Sequence, residues 1–311
     1  MPNHDEFGCT QTTIAVTPSS EVNPYYLKLA LESSDIKNIA AQQAVPMLTI
    51  GQISQLEIPV PPLPEQKKIA EILSGIDDAI KAEVNMASKI AKQYQGVLSR
   101  IFDDVSKEIP LGDYLPLEGL DLDISDGNYS AKYPSASEFV ERGVPFIRAS
   151  NMKEGTIDDK DMRFISATKH QEITKGHLKS GDILIANRGE IGKTSRVPER
   201  HIGSNINAQV VRINGGKKID SSFLFHYLSS PFCQALIDEL TTGTALKQLP
   251  IGNLVKLLIP APEMGVQVAI GGTLDSMQRV MNITTEKSKK LSQLKQAISS
   301  ELLSGHKRVS V

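Results

Sequence analysis

Apolar side chains recur along residues 58–102 in steps of four and three: Ile69, Leu73, Ile76, Ile80, Ala87, Ile90, Tyr94, Val97 and Ile101. That alternation is the heptad pattern of a helix burying one seam against another helix. Glu83 breaks the series, with Val84 beside it as a partial substitute. Upstream the chain reads Ile58-Pro59-Val60-Pro61-Pro62-Leu63-Pro64, and no further proline occurs before Phe102. Proline lacks an amide donor and pushes the preceding residue towards extended geometry, so the helix starts after this lead-in. The pattern predicts about 40 helical residues, roughly 60 Å at 1.5 Å per residue. Such a helix is too long to be one wall of a small core; it needs a partner.

The partner lies in the same chain. At a shift of 201 residues the pattern recurs: Pro59 and Pro61 fall on Pro260 and Pro262, Gln66 on Gln267, Ile69 on Ile270, and Ser99 on Ser300. Ile270, Leu274, Met277, Met281, Leu291, Ile298 and Leu302 then mark the second seam. An internal repeat decides architecture before any local reading. It reaches upstream as well: Ile50-Gly51 falls on Ile251-Gly252, and Asn23 to Leu27 falls on Asp220 to Leu224 after a short length difference. The two seams are expected to pack against each other.

Between the helices, residues 107–262 have the size of a normal domain, about 155 residues. Short β-type runs appear at Val144–Arg148, Gly181–Ala186 and Gln209–Ile213, followed by helices from Asp220–Ser221 to Leu228 and on to about Leu240. Near the N-terminus, Thr12–Val16 is β-branched and reads as a strand, Asn23-Pro24 as a helix start, and Leu56–Ile58 as a short strand. The expected fold class is α+β: a mixed α/β domain at 107–262, two long coiled-coil helices at 63–106 and 263–311, and a partial copy of the domain at 1–62.

Composition narrows the function classes. No run approaches the roughly 18 apolar residues of a membrane span, and the polar, acidic start Met1–Glu6 is no signal peptide. Cys9 and Cys233 have neither metal-site spacing nor a disulfide framework, which suits the cytoplasm. The net charge of -2 gives no whole-chain attraction to nucleic acid. Gly192-Lys193-Thr194 resembles the end of a phosphate loop, but Asn187 stands where that loop needs glycine. Asn23-Pro24-Tyr25-Tyr26 resembles an amino-methyltransferase signature with the wrong third residue, and it reads better as a helix cap. The six histidines have no zinc-ligand spacing, Asp158–Asp161 reads as a solvated loop, and no catalytic constellation emerges.

A local positive cluster remains. Arg188, Lys193, Arg196, Arg200, Arg212, Lys217 and Lys218 are opposed by Glu190 and Glu199 alone across residues 188–218. Asn187, Asn205, Asn207 and Gln209 lie among them, with Arg148, Asn151 and Lys153 upstream and Thr244, Lys247 and Gln248 in a Thr-Gly-rich loop downstream. Arg and Lys neutralise phosphates, while Arg, Asn and Gln can read base edges. A solvated surface is the bland alternative, and side chains on strands alternate faces, so some must point elsewhere. The candidate DNA-binding set is Arg148, Asn151, Lys153, Asn187, Arg188, Lys193, Arg196, Asn207, Thr244 and Lys247; no metal ligand is assigned.

These segments resemble a known family. The run Ile58 to Ile69 looks like the proline-to-helix region of the DNA-specificity (S) subunits of type I restriction-modification enzymes. So do Ile109–Asp113, Val144–Arg148, Gly181–Ile185 with Arg188–Lys193, and Gly243–Leu249. The resemblance implies target-recognition domains that each read half of a bipartite site in double-stranded DNA, held apart by the two long helices packed antiparallel as a coiled coil. It also implies methyltransferase (M) subunits docked on the chain, restriction (R) subunits beyond them, and no chemistry in the chain itself. S-adenosylmethionine, ATP and Mg are then expected on the partner subunits, with no cofactor on this chain.

Against that pattern, the first repeat is expected to lack counterparts of roughly residues 107–200, including Val144–Met152 and Gly181–Lys193. The chain would then be a shortened S subunit, a fragment complemented by another S fragment, or one half of a homodimer reading a symmetric site. Two other classes stay open: the recognition end of a fused methyltransferase-specificity enzyme, and a coiled-coil scaffold for which Arg188 and Lys193 would be dispensable.

Overall fold

The computed structural model describes residues 13–34, 36, 48–102, 114–120, 122–129, 132–244 and 246–310. The expectations placed on Cys9 and on Ile109–Asp113 lie outside the described residues. The chain forms two compact units, Met1–Lys89 with Met281–Val311, and Ile90–Val280.

The long helices span Leu63–Phe102 and Met264–Leu303. In the first unit they are antiparallel neighbours: Ile69, Leu73 and Ile76 of one share a core with Ile298, Leu302 and Leu303 of the other. The helix Pro24–Ser33 adds Tyr26, Leu29 and Ala30 to that core. Asn23 caps it, its side-chain oxygen accepting from the amides of Tyr25 and Tyr26 at 3.0 and 2.9 Å. Towards the middle of the pair, Asp77 meets Lys295 at 2.7 Å and Glu83 meets Lys287. Glu83 is therefore a seam position filled by an ion pair. Val84, expected to substitute for it, is 51% exposed.

Two expected strands do not form. Residues 13–16 are irregular and exposed, and residues 56–58 are irregular as well. In the second unit the segment aligned with 56–58 is a strand, β12 (Leu258–Pro260), because it pairs with β1 (Tyr114–Pro116). No described strand pairs with 56–58, and β-branched composition without a pairing edge does not hold a strand.

The second unit is built on a four-stranded antiparallel sheet of β2 (Asp123–Asp126), β11 (Val210–Asn214), β8 (Asp182–Ala186) and β9 (Thr194–Arg196), in that order. All five residues of β8 are buried, which explains a continuous apolar run where alternation would mark a half-exposed strand. A second sheet orders β10 (Asn205–Ile206), β4 (Val144–Ile147), β7 (Arg163–Ile165) and β3 (Phe139–Val140), with β10 parallel to β4, and β5 (Met152–Lys153) pairs with β6 (Thr156–Ile157). The helices Ser221–Leu228 and Pro231–Leu240 end where expected, and Asp220 caps the first of them. The main core gathers Ile183, Ile185, Val211 and Ile213 from the sheet, and Phe223, Leu224 and Tyr227 from a helix. It also takes in Leu98 and Phe102 from the first long helix and Ile270 and Leu274 from the second. Leu98 and Phe102 fall outside the heptad seam because they pack on the domain, not only on the partner helix.

One residue per repeat joins cap helix to long helix. Gln267, 2% exposed, accepts the Asp220 amide at 2.8 Å and donates to the carbonyls of Pro262 at 2.8 Å and Lys218 at 3.3 Å. Gln66, 1% exposed, accepts the Asn23 amide at 2.8 Å and donates to the carbonyls of Pro61 at 2.8 Å and Glu21 at 3.0 Å. The same amide geometry thus fixes each long-helix start to the cap residue of Pro24–Ser33 or of Ser221–Leu228.

Candidate nucleic-acid interface

Asn187 follows β8 and is where three loops meet. Its backbone amide donates to the Gln209 carbonyl at 3.0 Å, and its own carbonyl accepts the Leu249 amide at 2.9 Å. Gly189 and Gly192 turn the loop back into β9 with φ of +75° and +82°. At Gly192 a Cβ would stand 2.4 Å from Gln234 Oε1, while Gln234 Nε2 donates to the Gly192 carbonyl at 2.9 Å. The positive φ favours glycine there, and a side chain would also push the Gln234 amide off the Gly192 carbonyl. The hairpin that follows the helix Pro231–Leu240 closes with two 2.9 Å backbone bonds between Thr242 and Gln248.

These loops border a cleft of about 510 Å³ lined by Arg188, Gly189, Gln209, Leu246, Lys247 and Gln248. Arg188 donates to Gln248 Oε1 at 3.2 Å, and its guanidinium carbon lies 5.7 Å from the centre of the Tyr129 ring. Lys175 Nζ lies 5.4 Å from the same ring and pairs with Asp126. The Tyr129 hydroxyl donates to the Ala208 carbonyl at 2.9 Å, and burial first, then Asp126, pushes its pKa up. An anchored aromatic ring flanked by two cations, with Lys247 exposed nearby, gives a basic rim over amide side chains. That arrangement can take phosphates at its edge and base edges at its centre.

Of the ten candidate residues, Asn187, Arg188, Lys193, Thr244 and Lys247 belong to these loops, with Lys193 taken up by Glu190 at 2.8 Å. Asn207 is buried beside them, 4% exposed, its side chain exchanging bonds with Gln209. The others are placed elsewhere. Asn151, 1% exposed, donates to the carbonyls of Asp158 and Lys160. Arg148 donates to the Asp161 carbonyl at 2.7 Å, and Lys153 pairs with Asp158 at 2.8 Å. Together they hold the 158–161 turn, where Asp159 also pairs with Arg200 at 3.0 Å.

Arg196 points to the long helix. It pairs with Asp275, packs its guanidinium 3.0 Å from His226 Nε2 and lies 4.3 Å from the centre of the Phe225 ring. His226 is fully buried; its Nδ1 meets the Tyr94 hydroxyl at 2.7 Å and its Nε2 meets Asp275 at 2.7 Å. Burial pushes the imidazole pKa down to about 4, so the ring is neutral and donates from Nε2 to the carboxylate. Burial acts to raise the Asp275 carboxyl, but bonds from Arg196, Ser222 and His226 outweigh it and hold the group below its usual value. Ser222 donates to Asp275 and not to the imidazole, the wrong order for an activated nucleophile. Among the described residues no group of three or more His, Cys, Asp or Glu could hold a metal ion.

Sequence reading missed Tyr129 and Lys175, which are remote in the chain and reach the cleft through β2 and the segment after residue 172. Their signal was faint: an aromatic within the otherwise polar run Asp126–Ser130.

A family model for the type I restriction modification DNA specificity domain matches residues 2–90 and 123–296. The chain belongs to this family. The specificity subunit of type I restriction enzyme MjaVIII from Methanocaldococcus jannaschii is 27% identical over 297 residues, covering 91% of this chain and 70% of that protein. The EcoBI specificity subunit of Escherichia coli is 28% identical over 232 residues, covering 68% of this chain and 49% of its own. The S subunit of a type I system from M. genitalium shares the fold at TM-score 0.61 with 15% identity, covering 91% of this chain and 73% of that one. Membership makes DNA sequence specificity the role of this chain and leaves catalysis to other subunits. It also settles the fold class as α+β, with recognition domain and paired helices in one chain.

Proposed function

We propose that residues 114–260 form a target-recognition domain that reads one half of a bipartite site in double-stranded DNA through the cleft around Arg188, Lys247 and Tyr129. The observation that carries this reading is the basic rim over Gln209 and Gln248 at the meeting point of separate loops. Phosphate contacts by Arg188, Lys175 and Lys247 position the duplex, and the amides face the base edges. The long helices, with their exposed polar faces, present the domain to M subunits, and R subunits join that assembly. S-adenosylmethionine, ATP and Mg are held by those partners, and the complex works in the cytoplasm, where the DNA is. Among the described residues no helix is long and apolar enough to cross a membrane.

The test compares Arg188→Ala with the unaltered chain, each assembled with its M subunits, in DNA binding at several salt concentrations. Loss of one phosphate contact should lower the slope of log affinity against log salt by about one unit. An unchanged slope and affinity would remove Arg188, and the cleft with it, from the interface.

A further inference from the structure

Leu246 is 89% exposed, more than any other large apolar side chain among the described residues. A lone surface leucine is ordinary; the surroundings of this one are not. It sits on the hairpin closed by Thr242 and Gln248, which is braced in four ways. Gly243 takes φ +92°, and a Cβ there would stand 2.6 Å from the Leu246 carbonyl oxygen, so the backbone there has room for glycine alone. The two backbone bonds of 2.9 Å close its base, and the Leu249 amide ties it to the Asn187 carbonyl at 2.9 Å. Arg188 adds a side-chain bond to Gln248. A braced turn therefore offers one apolar side chain at the mouth of a cleft whose other side chains, Arg188, Gln209, Lys247 and Gln248, are all polar.

We infer that Leu246 contacts the C5-methyl group of a thymine in the target and is a specificity-determining residue. In the major groove the thymine methyl is the apolar feature of the base edges, and an apolar side chain is the complement it takes. Guanidinium, ammonium and amide groups cannot recognise it. They can bond the neighbouring acceptors and donors, and the amide of Gln209 or Gln248 has the chemistry to meet the adenine paired with that thymine. Bracing matters because a leucine on a loose loop would give up in ordering what it gained in contact. The inference deepens the proposed DNA-reading role and rests on it.

The experiment uses the chain assembled with its M subunits and a duplex carrying the sequence that the complex methylates. Each thymine in turn is replaced by deoxyuridine, which lacks only the methyl group. One position should weaken binding by about fourfold, the factor expected for one methyl group removed from water. Leu246→Ala should bind the thymine duplex more weakly by a similar factor and show no further loss with deoxyuridine at that position. Lys247→Ala should weaken both duplexes equally and keep the deoxyuridine effect. The inference is overturned if no deoxyuridine position matters, or if Leu246→Ala keeps the discrimination. If the unaltered complex shows no preference for its methylated sequence over random duplex, the proposed DNA-reading role fails, and that result appears before any deoxyuridine is introduced.

Discussion

Replacing Gln267 by alanine removes one side chain and three hydrogen bonds at the start of the second long helix. The Asp220 amide loses its acceptor, and the carbonyls of Pro262 and Lys218 lose their donor, at a site where Gln267 is 2% exposed. A buried bond of this kind is worth about 1 kcal/mol net, and a stranded amide costs more than that. The expected loss is about 3 kcal/mol, or roughly 6–12 °C in midpoint for a unit of this size. Gln267→Glu should do no better, because a carboxylate oxygen would face two carbonyl oxygens. Gln66→Ala makes the matching change in the other unit, where the bonds run to Asn23, Pro61 and Glu21. The two residues share no partner, so their effects should be separable. Urea unfolding followed by circular dichroism, read for one or two transitions, measures both. A loss below about 1 kcal/mol for Gln267→Ala would refute the claim that this amide fixes the cap helix to the long helix.

Three further outcomes follow from the second unit. The folded chain keeps His226 neutral down to about pH 4 while an unfolded chain protonates it near pH 6.5. Stability is therefore fully present above pH 6.5 and falls as pH drops towards 4, by roughly 3 kcal/mol in all. His226→Gln should flatten that part of a stability-against-pH curve, and an unchanged slope would contradict it. Leu98→Ala empties a fully buried position between helix and domain and should cost about 2–5 kcal/mol in chemical denaturation. Arg196→Ala should lower stability through the loss of Asp275 and His226 contacts without changing the salt slope of DNA binding, the reverse of Arg188→Ala.

The helices were legible because their signals are periodic and local. Heptad steps, proline lead-ins and the caps at Asn23 and Asp220 determine bounds without reference to the rest of the fold. The same reasoning named Gln66 and Gln267 as a matched pair but could not say what they bond. Strand faces were less legible. Arg196 and Arg188 look alike in a charge count, yet Arg196 ends β9 against Asp275 while Arg188 turns to the cleft. Asn151 reads as a base-contacting amide until the 158–161 turn is seen to take both its donors. Tyr129 and Lys175 needed the tertiary fold, since β2 and the segment after residue 172 bring them to Arg188 from distant parts of the chain.

The most direct test of the central claim is to map methylated adenines in DNA from cells that carry this chain together with its M subunits. The account predicts a sequence motif, and predicts that substitutions in the cleft, Arg188→Ala and Leu246→Ala, change its frequency or its bases while Lys153→Ala leaves it alone. A bipartite motif would fit one chain serving both half-sites, and a palindromic one would fit two copies acting together. Methylation that ignores every cleft substitution, or that is equally abundant without the chain, would contradict the account.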